Sequence, residues 1–309
     1  MAEHGRVYPD STEKRRRFVI FKENLEFVEK FNNDGEKTYK LSVNEFSDMT
    51  NEEFLSHHTG YKTPTGSSLT RSPKQMPGLY FPRPHIDYPD SVDWREQGAV
   101  TDIKNQIPCN ACWAFAAMAA VEGITFIKTG QLVSLSEQQL LDCDKSSNGC
   151  QEGDMEAAYT YIIENGGTAT EEEYPYLNTS VRQKCDTQKE KKHATHISDF
   201  VFVPESNQRA LHKAVSMQPV SVAISANGTE FKSYKRGVFS GPCDGPLNHA
   251  VTIIGYGTEN GTGTNYWLIK NSWGETWGEK GYMRILRSTT SSMDDGLCGL
   301  AIQAYYPIV

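Results

Sequence analysis

No cysteine precedes residue 109, and seven follow: Cys109, Cys112, Cys143, Cys150, Cys185, Cys243 and Cys298. An odd count fits three disulfides plus one free thiol, and the cysteine-free front reads as a different kind of segment. No apolar run is long. The most apolar stretch, Ala111 to Val121 (ACWAFAAMAAV), falls well short of the ~20 residues that cross a bilayer, so no membrane span is expected. Positive charge is not in excess: 31 Lys and Arg against 39 Asp and Glu give a net charge of −8, with a pI near 5.6, which removes electrostatic support for a nucleic-acid partner. The opening MAEHGRVYPD is polar and does not read as a signal peptide. The closing AIQAYYPIV carries no retention or anchor signal. No internal repeat or sign of an oligomer is visible. What remains is ordinary for a soluble globular chain of 309 residues, with 38% hydrophobic, 23% charged and 11% aromatic residues. That length supports one large domain or two modest ones.

Three N-x-[ST] triplets, at Asn178, Asn227 and Asn260, are glycosylation candidates and point weakly to secretion. Along the chain, DSTEKRRRFVIFKENLEFVEKFNNDG begins with Asp10 three residues before Glu13, a capping-box-like start, and ends in an Asn-Asn-Asp-Gly stop. Phe18, Phe21, Leu25 and Val28 predict one apolar stripe on a strongly charged helix, which needs a partner surface. A short strand and a second helix are expected in YKLSVNEFSDMTNEEFLSHHTGYK. Residues 63–87, rich in Pro, Ser, Thr and Gly, read as an extended, protease-accessible connector. Residues 112–129 predict a buried central helix stopped by Gly130. Further helices are expected near Ser136 to Cys143 and Asp154 to Asn165, and strands after about residue 195. The fold expected is α+β: helices first, then an antiparallel sheet or barrel, with a cleft where they meet.

Cys109 and Cys112 lie three apart at the front of the apolar helix. A nucleophilic thiol must ionise near neutral pH, and the partial positive charge of a helix N-terminus favours the thiolate. Cys112, at the helix head, is therefore the nucleophile candidate. Of the eight histidines, His249 opens an apolar strand-like run, HAVTIIGYG, and is the candidate base. Asn271 has an amide oxygen that can orient one imidazole nitrogen, and Trp273 can shield that bond from water. Other readings compete. Cys109 and Cys112 could be half of a zinc site, but Cys143 and Cys150 are too far apart for a second tight pair. A thioredoxin-like motif needs a βαβ pattern that is missing. A lone His249 would ordinarily be a satisfied core histidine, Trp277 reads as a core aromatic, and Glu13 with Arg17 could be a solvated pair.

With these residues in view, the chain resembles a papain-like cysteine protease zymogen of the plant cathepsin L-like kind. The resemblance rests on SVDWREQGAVTDIKNQ, CWAF, SLSEQQLLDCD, NHAV, KNSWGETWGEKGYMRI and GLCGLA, in order. In the front segment it rests on the family's inhibitory pattern, here Glu13, Arg17, Phe21, Asn24, Val28 and Asn32, followed by Ser42, Asn44, Phe46 and Asp48, with Val28 replacing Ile and Ser42 replacing Gly. It implies a helical half and an antiparallel β-barrel half with a cleft between, as a mature domain over 88–309. An inhibitory propeptide would occupy 1–87, helical to about 62 and extended from 63. The propeptide would cover the cleft in the reverse of substrate direction and leave at acidic pH. Gln106 and the Cys112 N–H would hold the oxyanion, and disulfides would pair Cys109 with Cys150, Cys143 with Cys185 and Cys243 with Cys298. Gly153, Asp154, Met155, Ala223, Leu247, Asn248, Trp273 and Gln303 would line the substrate cleft. No metal or cofactor is required. The implied partners are peptide or protein substrates, the chain's own propeptide and cystatin-like inhibitors, for a monomer in the secretory pathway, a vacuole or lysosome-like compartment, or outside the cell.

Two residues depart from the family pattern. Asn110 stands where Gly usually separates the two cysteines, and Glu152 stands in a usual Gly-Gly pair. Both put side chains on walls that glycine leaves open, flanking the first specificity pocket, and Asp154 adds a charge to the second. One expectation is an acidic cleft that favours Lys or Arg in the substrate. Another is crowding, which would make the chain a low-activity protease homologue serving as a binding partner or decoy.

Overall fold

The computed structural model describes residues 5–64, 88–288 and 294–309; the connector expected over 63–87 lies, from residue 65 onward, outside the described residues. Helix α1 (Ser11–Asn33) is opened by Asp10, whose carboxylate accepts from the Thr12 and Glu13 amides. Glu13 does not close a reciprocal capping box. Its carboxylate is drawn to Arg16 and Arg17 instead. The full box sits at helix α2 (Asn51–His58), where Thr50 and Glu53 cap each other's backbone amides. The buried stripe of α1 is also mixed rather than purely apolar. Arg17, Phe21, Asn24, Leu25, Val28 and Asn32 turn inward to varying degrees, while Phe18 is 56% exposed. Phe18 lies about 100° round the helix from Arg17, at the edge of that stripe.

Polar residues on this face dock α1 onto the turn before α2. Arg17 bonds Glu13 at 2.6 Å, Glu53 at 2.7 Å and the Asp48 carbonyl at 3.0 Å. Asn24 donates to the Ser47 and Met49 carbonyls. Asn32 pairs both ways with the backbone of Leu41, in strand β1 (Tyr39–Leu41). Asp48 accepts from Tyr8, whose hydroxyl is pushed up to about 12 chiefly by burial.

The remaining chain builds two packed halves. Helix α3 (Cys112–Thr129) ends on Gly130 at φ 74°, a left-handed conformation that suits glycine. By length and composition α3 could cross a membrane, which the shorter apolar stretch expected from the sequence does not convey. It is a buried core helix of this fold. Ser136 caps α4 (Glu137–Cys143) and Asp154 caps α5 (Met155–Asn165). The second half is a sheet of strands β3 (Asp199–Phe202), β4 (Val220–Ile224), β5 (Tyr234–Phe239), β6 (His249–Thr258), β7 (Asn265–Lys270), β8 (Tyr282–Leu286) and β9 (Ala304–Ile308), with short β2 (Val92–Asp93) on β6. The order is β1-β5-β8-β7-β6-β4-β9-β3. It is not wholly antiparallel, because β5 and β8 pair in parallel. Helix α6 (Gln208–Met217) interrupts a region expected to be strands. Leu211, Ala214 and Val215 bury at helical spacing, and Asn207 caps the start.

Strand β1 joins the front segment to the strand-rich half by pairing antiparallel with β5. The same seam buries Lys232, at the end of the short helix α7 (Thr229–Lys232). Its ammonium reaches the Met49 carbonyl at 2.9 Å and Asn24 Oδ1 at 3.3 Å, and its carbonyl accepts from Asn44 and Trp277. Beside it, Phe46 and Phe54 meet Trp273 edge-on at 5.7 and 5.1 Å. Trp277 is a fully buried core aromatic.

Disulfides join Cys109 to Cys150, Cys143 to Cys185 and Cys243 to Cys298, and Cys112 is the free thiol. The loops they close span 41, 42 and 55 residues, for which chain entropy assigns about 4 kcal/mol each. Replacing Arg17 with Met leaves Glu53 and the Asp48 carbonyl without that partner. The expected cost is about 1–3 kcal/mol to the front segment, read by urea denaturation of the full chain carrying Cys112→Ala; a loss below about 0.3 kcal/mol would mean that the network is only a solvated surface pair.

Candidate active site

Cys112 begins α3, and Ala111 before it makes no side-chain cap, so the thiol sits where the first helix amides are free. His249 begins β6 and Asn271 directly follows β7, adjacent strands in register. The Asn271 Oδ1 atom lies 2.8 Å from His249 Nε2 and also accepts from the Ser272 amide, which fixes the amide's orientation. Nε2 therefore carries the proton and Nδ1 is left as an acceptor, buried and without a hydrogen-bond partner. Trp273 stacks on the imidazole, with centroids 4.5 Å apart and planes 24° apart.

Gln106 is fully buried. Ser272 Oγ donates to its Oε1 at 2.7 Å, so the Nε2 end is turned into the cleft. The Gln106 amide bonds the Ser272 carbonyl, tying this loop to the segment that carries Asn271 and Trp273. Lys270, next to Asn271, is buried and held by Thr101, near the buried carboxylates of Glu122 and Glu137 and the Lys104 ammonium. Burial lifts Glu137 to about 8 despite that ammonium.

Residues 56–62 of the front segment fill the cleft. The His58 carbonyl accepts from Trp273 Nε1 at 3.1 Å and lies 3.4 Å from Gln106 Nε2. The Gly60 carbonyl accepts from the Gly153 amide, Lys62 N–H donates to the Gly153 carbonyl, and Tyr61 N–H donates to the Asn248 carbonyl. The backbone of Ala250 and of Gly60 lies near enough to the Cys112 thiol to pull its pKa down against burial. The thiol thus meets a donor rather than an electrophilic carbonyl. A β-carbon at residue 60 would lie 2.0 Å from the Asn110 carbonyl oxygen, so glycine is required there.

The cleft-wall residues divide by what they touch. Met155 and Ala223 are buried in one cluster with Tyr61, and Leu247 packs against it. The Gln303 carbonyl accepts from Ala223, and its side chain accepts from Tyr305. Asp154 is committed to the Ala157 amide as a helix cap, and burial pushes its carboxyl up to about 6. Gly153 has no room for a side chain, since a β-carbon would fall 2.5 Å from the Trp113 indole. Asn110 donates to the Ser56 carbonyl at 2.9 Å, and Glu152 pairs with Lys62 at 2.5 Å. Glu152 therefore faces the residue two beyond Gly60, not Gly60 itself. Of the glycosylation candidates, Asn178 and Asn260 are exposed, whereas the Asn227 amide is bonded to Ser225, Asp244 and Asn248.

Burial under this segment sets the protonation states. The Cys112 thiol is pushed up to about 11, and His249 is pushed down to about 4 against the opposing pull of Asn271. With the cleft covered, the pair is a neutral thiol and a neutral imidazole; a thiolate–imidazolium pair requires water and the segment's departure. His58, Ser272 and Lys232 were not singled out from the sequence. The first was masked by its polar neighbours, and the other two act on groups far away in the chain. Gly60→Ala should push the segment off Asn110 and leave the unprocessed chain at least tenfold more active on a small peptide at pH 7. Activity unchanged from the parent chain would contradict the fit.

A papain family cysteine protease model matches residues 88–308, and a cathepsin propeptide inhibitor domain model matches residues 1–54. A senescence-specific cysteine protease of Arabidopsis thaliana is 48% identical over 310 residues, covering 100% of this chain and 88% of that protein. The proform of the ragweed pollen allergen Amb a 11, a cysteine protease, superposes with a TM-score of 0.88 at 42% identity, covering 100% of this chain and 92% of that one. Bromelain of Ananas comosus in complex with the E64 inhibitor superposes with a TM-score of 0.67 at 49% identity, covering 72% of this chain and 99% of that one. Fold, free thiol, covered cleft and full-length similarity converge: the chain belongs to the papain family of cysteine proteases and carries the family's inhibitory propeptide domain.

Proposed function

We propose that the chain is a cysteine endopeptidase zymogen whose Cys112 attacks peptide carbonyls once residues 56–62 leave the cleft. The observation that carries this reading is the segment itself, bonded along both walls with an amide N–H at the thiol. In the open cleft, water returns to the pair, and the proton moves from Cys112 to His249 Nδ1 while Asn271 holds Nε2. The thiolate adds to the carbonyl carbon, and Gln106 Nε2 with the Cys112 N–H stabilises the oxyanion. The imidazolium protonates the leaving amine, and water, deprotonated by His249, then hydrolyses the acyl-enzyme.

The front segment also supports a specificity reading. It runs opposite to a substrate, so Gly60 stands for the substrate residue that supplies the scissile carbonyl. Tyr61 stands for the next residue toward the substrate N-terminus and Lys62 for the third. The pocket of Met155, Ala223 and Leu247 then suits a large apolar or aromatic side chain, and Glu152 suits a cation at the third position. Asp154, spent on a helix cap, contributes less. Asn110 and Glu152 have partners in the propeptide, so their side chains serve the closed state, and no observation favours a decoy. The three disulfides fit an oxidising compartment, secretory or vacuolar, and a monomer acting on protein substrates accounts for every residue of the site. Maturation would cut before Tyr88, in the Pro- and Gly-rich connector.

Acidifying the purified chain should release a product beginning near Tyr88 that a thiol-directed epoxide labels at Cys112; an intact, unlabelled chain would refute the peptidase reading. Gln106→Ala should lower kcat about 10²–10³-fold, as for loss of one oxyanion donor. On paired peptides, Glu152→Lys should reverse a roughly three- to tenfold preference for Lys over Glu at the third position. An unchanged preference would remove Glu152 from specificity while leaving catalysis intact.

A further inference from the structure

His58, the last residue of α2, is 3% exposed, and neither ring nitrogen has a hydrogen-bond partner. Its imidazole lies against aromatic carbon, 4.8 Å from the Phe46 ring and 5.4 Å from the Phe54 ring. The charged and titratable groups that face it are His57 on its own helix, Arg6 before α1 and His249 across the cleft. All three are bases and oppose a second positive charge. The negative end of α2 would favour an imidazolium, but the His58 carbonyl is already taken by Trp273 and Gln106. An imidazolium here would be a buried cation without an acceptor, a costly state.

We propose that His58 is the acid sensor of the zymogen: its protonation drives α2 and residues 58–62 out of the cleft, uncovering Gln106, Trp273 and Cys112 together. This goes beyond the catalytic reading, since it concerns only the propeptide. The sign follows from linkage. Burial holds the docked imidazole down to about 3, whereas a solvated histidine titrates near 6.5. Docking is therefore strongest above pH ~6.5 and weakens about tenfold per pH unit down to ~3, because the released state binds one more proton. Against the opposing effect of burial, the Thr50 amide, Arg16 and Arg17 hold the Glu53 carboxyl below its ordinary range.

The test compares self-processing of the full-length zymogen with its His58→Phe and His58→Gln variants between pH 3.5 and 7. The parent rate should rise steeply below pH 6.5, and both variants should process at least tenfold more slowly at pH 5. Enzymes freed from each by an added protease should hydrolyse peptide equally. Parent-like pH profiles in folded variants would overturn the proposal. Independently of folding, the His58 imidazole resonance in the Cys112→Ala zymogen should titrate only as the front segment undocks. A reversible titration near 6.5 with the segment still docked would also overturn it.

Discussion

Removal of water from one thiol and one imidazole is the constraint on which the rest of this structure depends. Burial of Cys112 and His249 raises the first, against the opposing pull of nearby backbone groups, and lowers the second, so the proton stays on sulfur. On the proposed mechanism, the chain need not distort these residues to silence them. His249 is already bonded to Asn271 and stacked on Trp273 beneath the propeptide, and Gln106 is held by Ser272. Activation is then a change of solvent more than a change of geometry.

Holding that cover in place takes several modest contacts. Strand β1 extends the main sheet through β5, Lys232 sends its ammonium into the turn between α1 and α2, and Phe46 and Phe54 meet Trp273 edge-on. From that anchored unit the chain descends into the cleft with residues 56–62. There many of the bonds are backbone to backbone, and side chains of Asn110, Glu152, Trp273 and Gln106 add to them. The two departures from the family pattern thus contact the propeptide, which a reading of the cleft walls alone does not reveal.

Much of this was legible in the sequence because local rules coincide with the tertiary outcome. Asp10, Ser136 and Asp154 are helix caps, Gly130 ends α3, and Cys112 stands at a helix head next to an apolar run. Less legible were features decided across the chain. Leu211, Ala214 and Val215 repeat at helical spacing, but they sit among strand-like runs, so α6 was hidden. The parallel pairing of β5 and β8 depends on a crossover that no local pattern encodes. His58 looks like one polar residue in a polar stretch, and its meaning comes from the two phenylalanines folded against it and the donors that take its carbonyl. Phe18 misled in the other direction, an apolar residue at a stripe's edge that the fold leaves in water.

Silencing of Cys112 by desolvation under the propeptide has a direct chemical readout. It is tested most directly by the pH dependence of Cys112 alkylation with a small haloacetamide, before and after propeptide removal. The intact zymogen should be inert between pH 6.5 and 8, where the segment stays docked, and the processed enzyme should react rapidly across that range. Equal rates in the two forms would contradict silencing by desolvation.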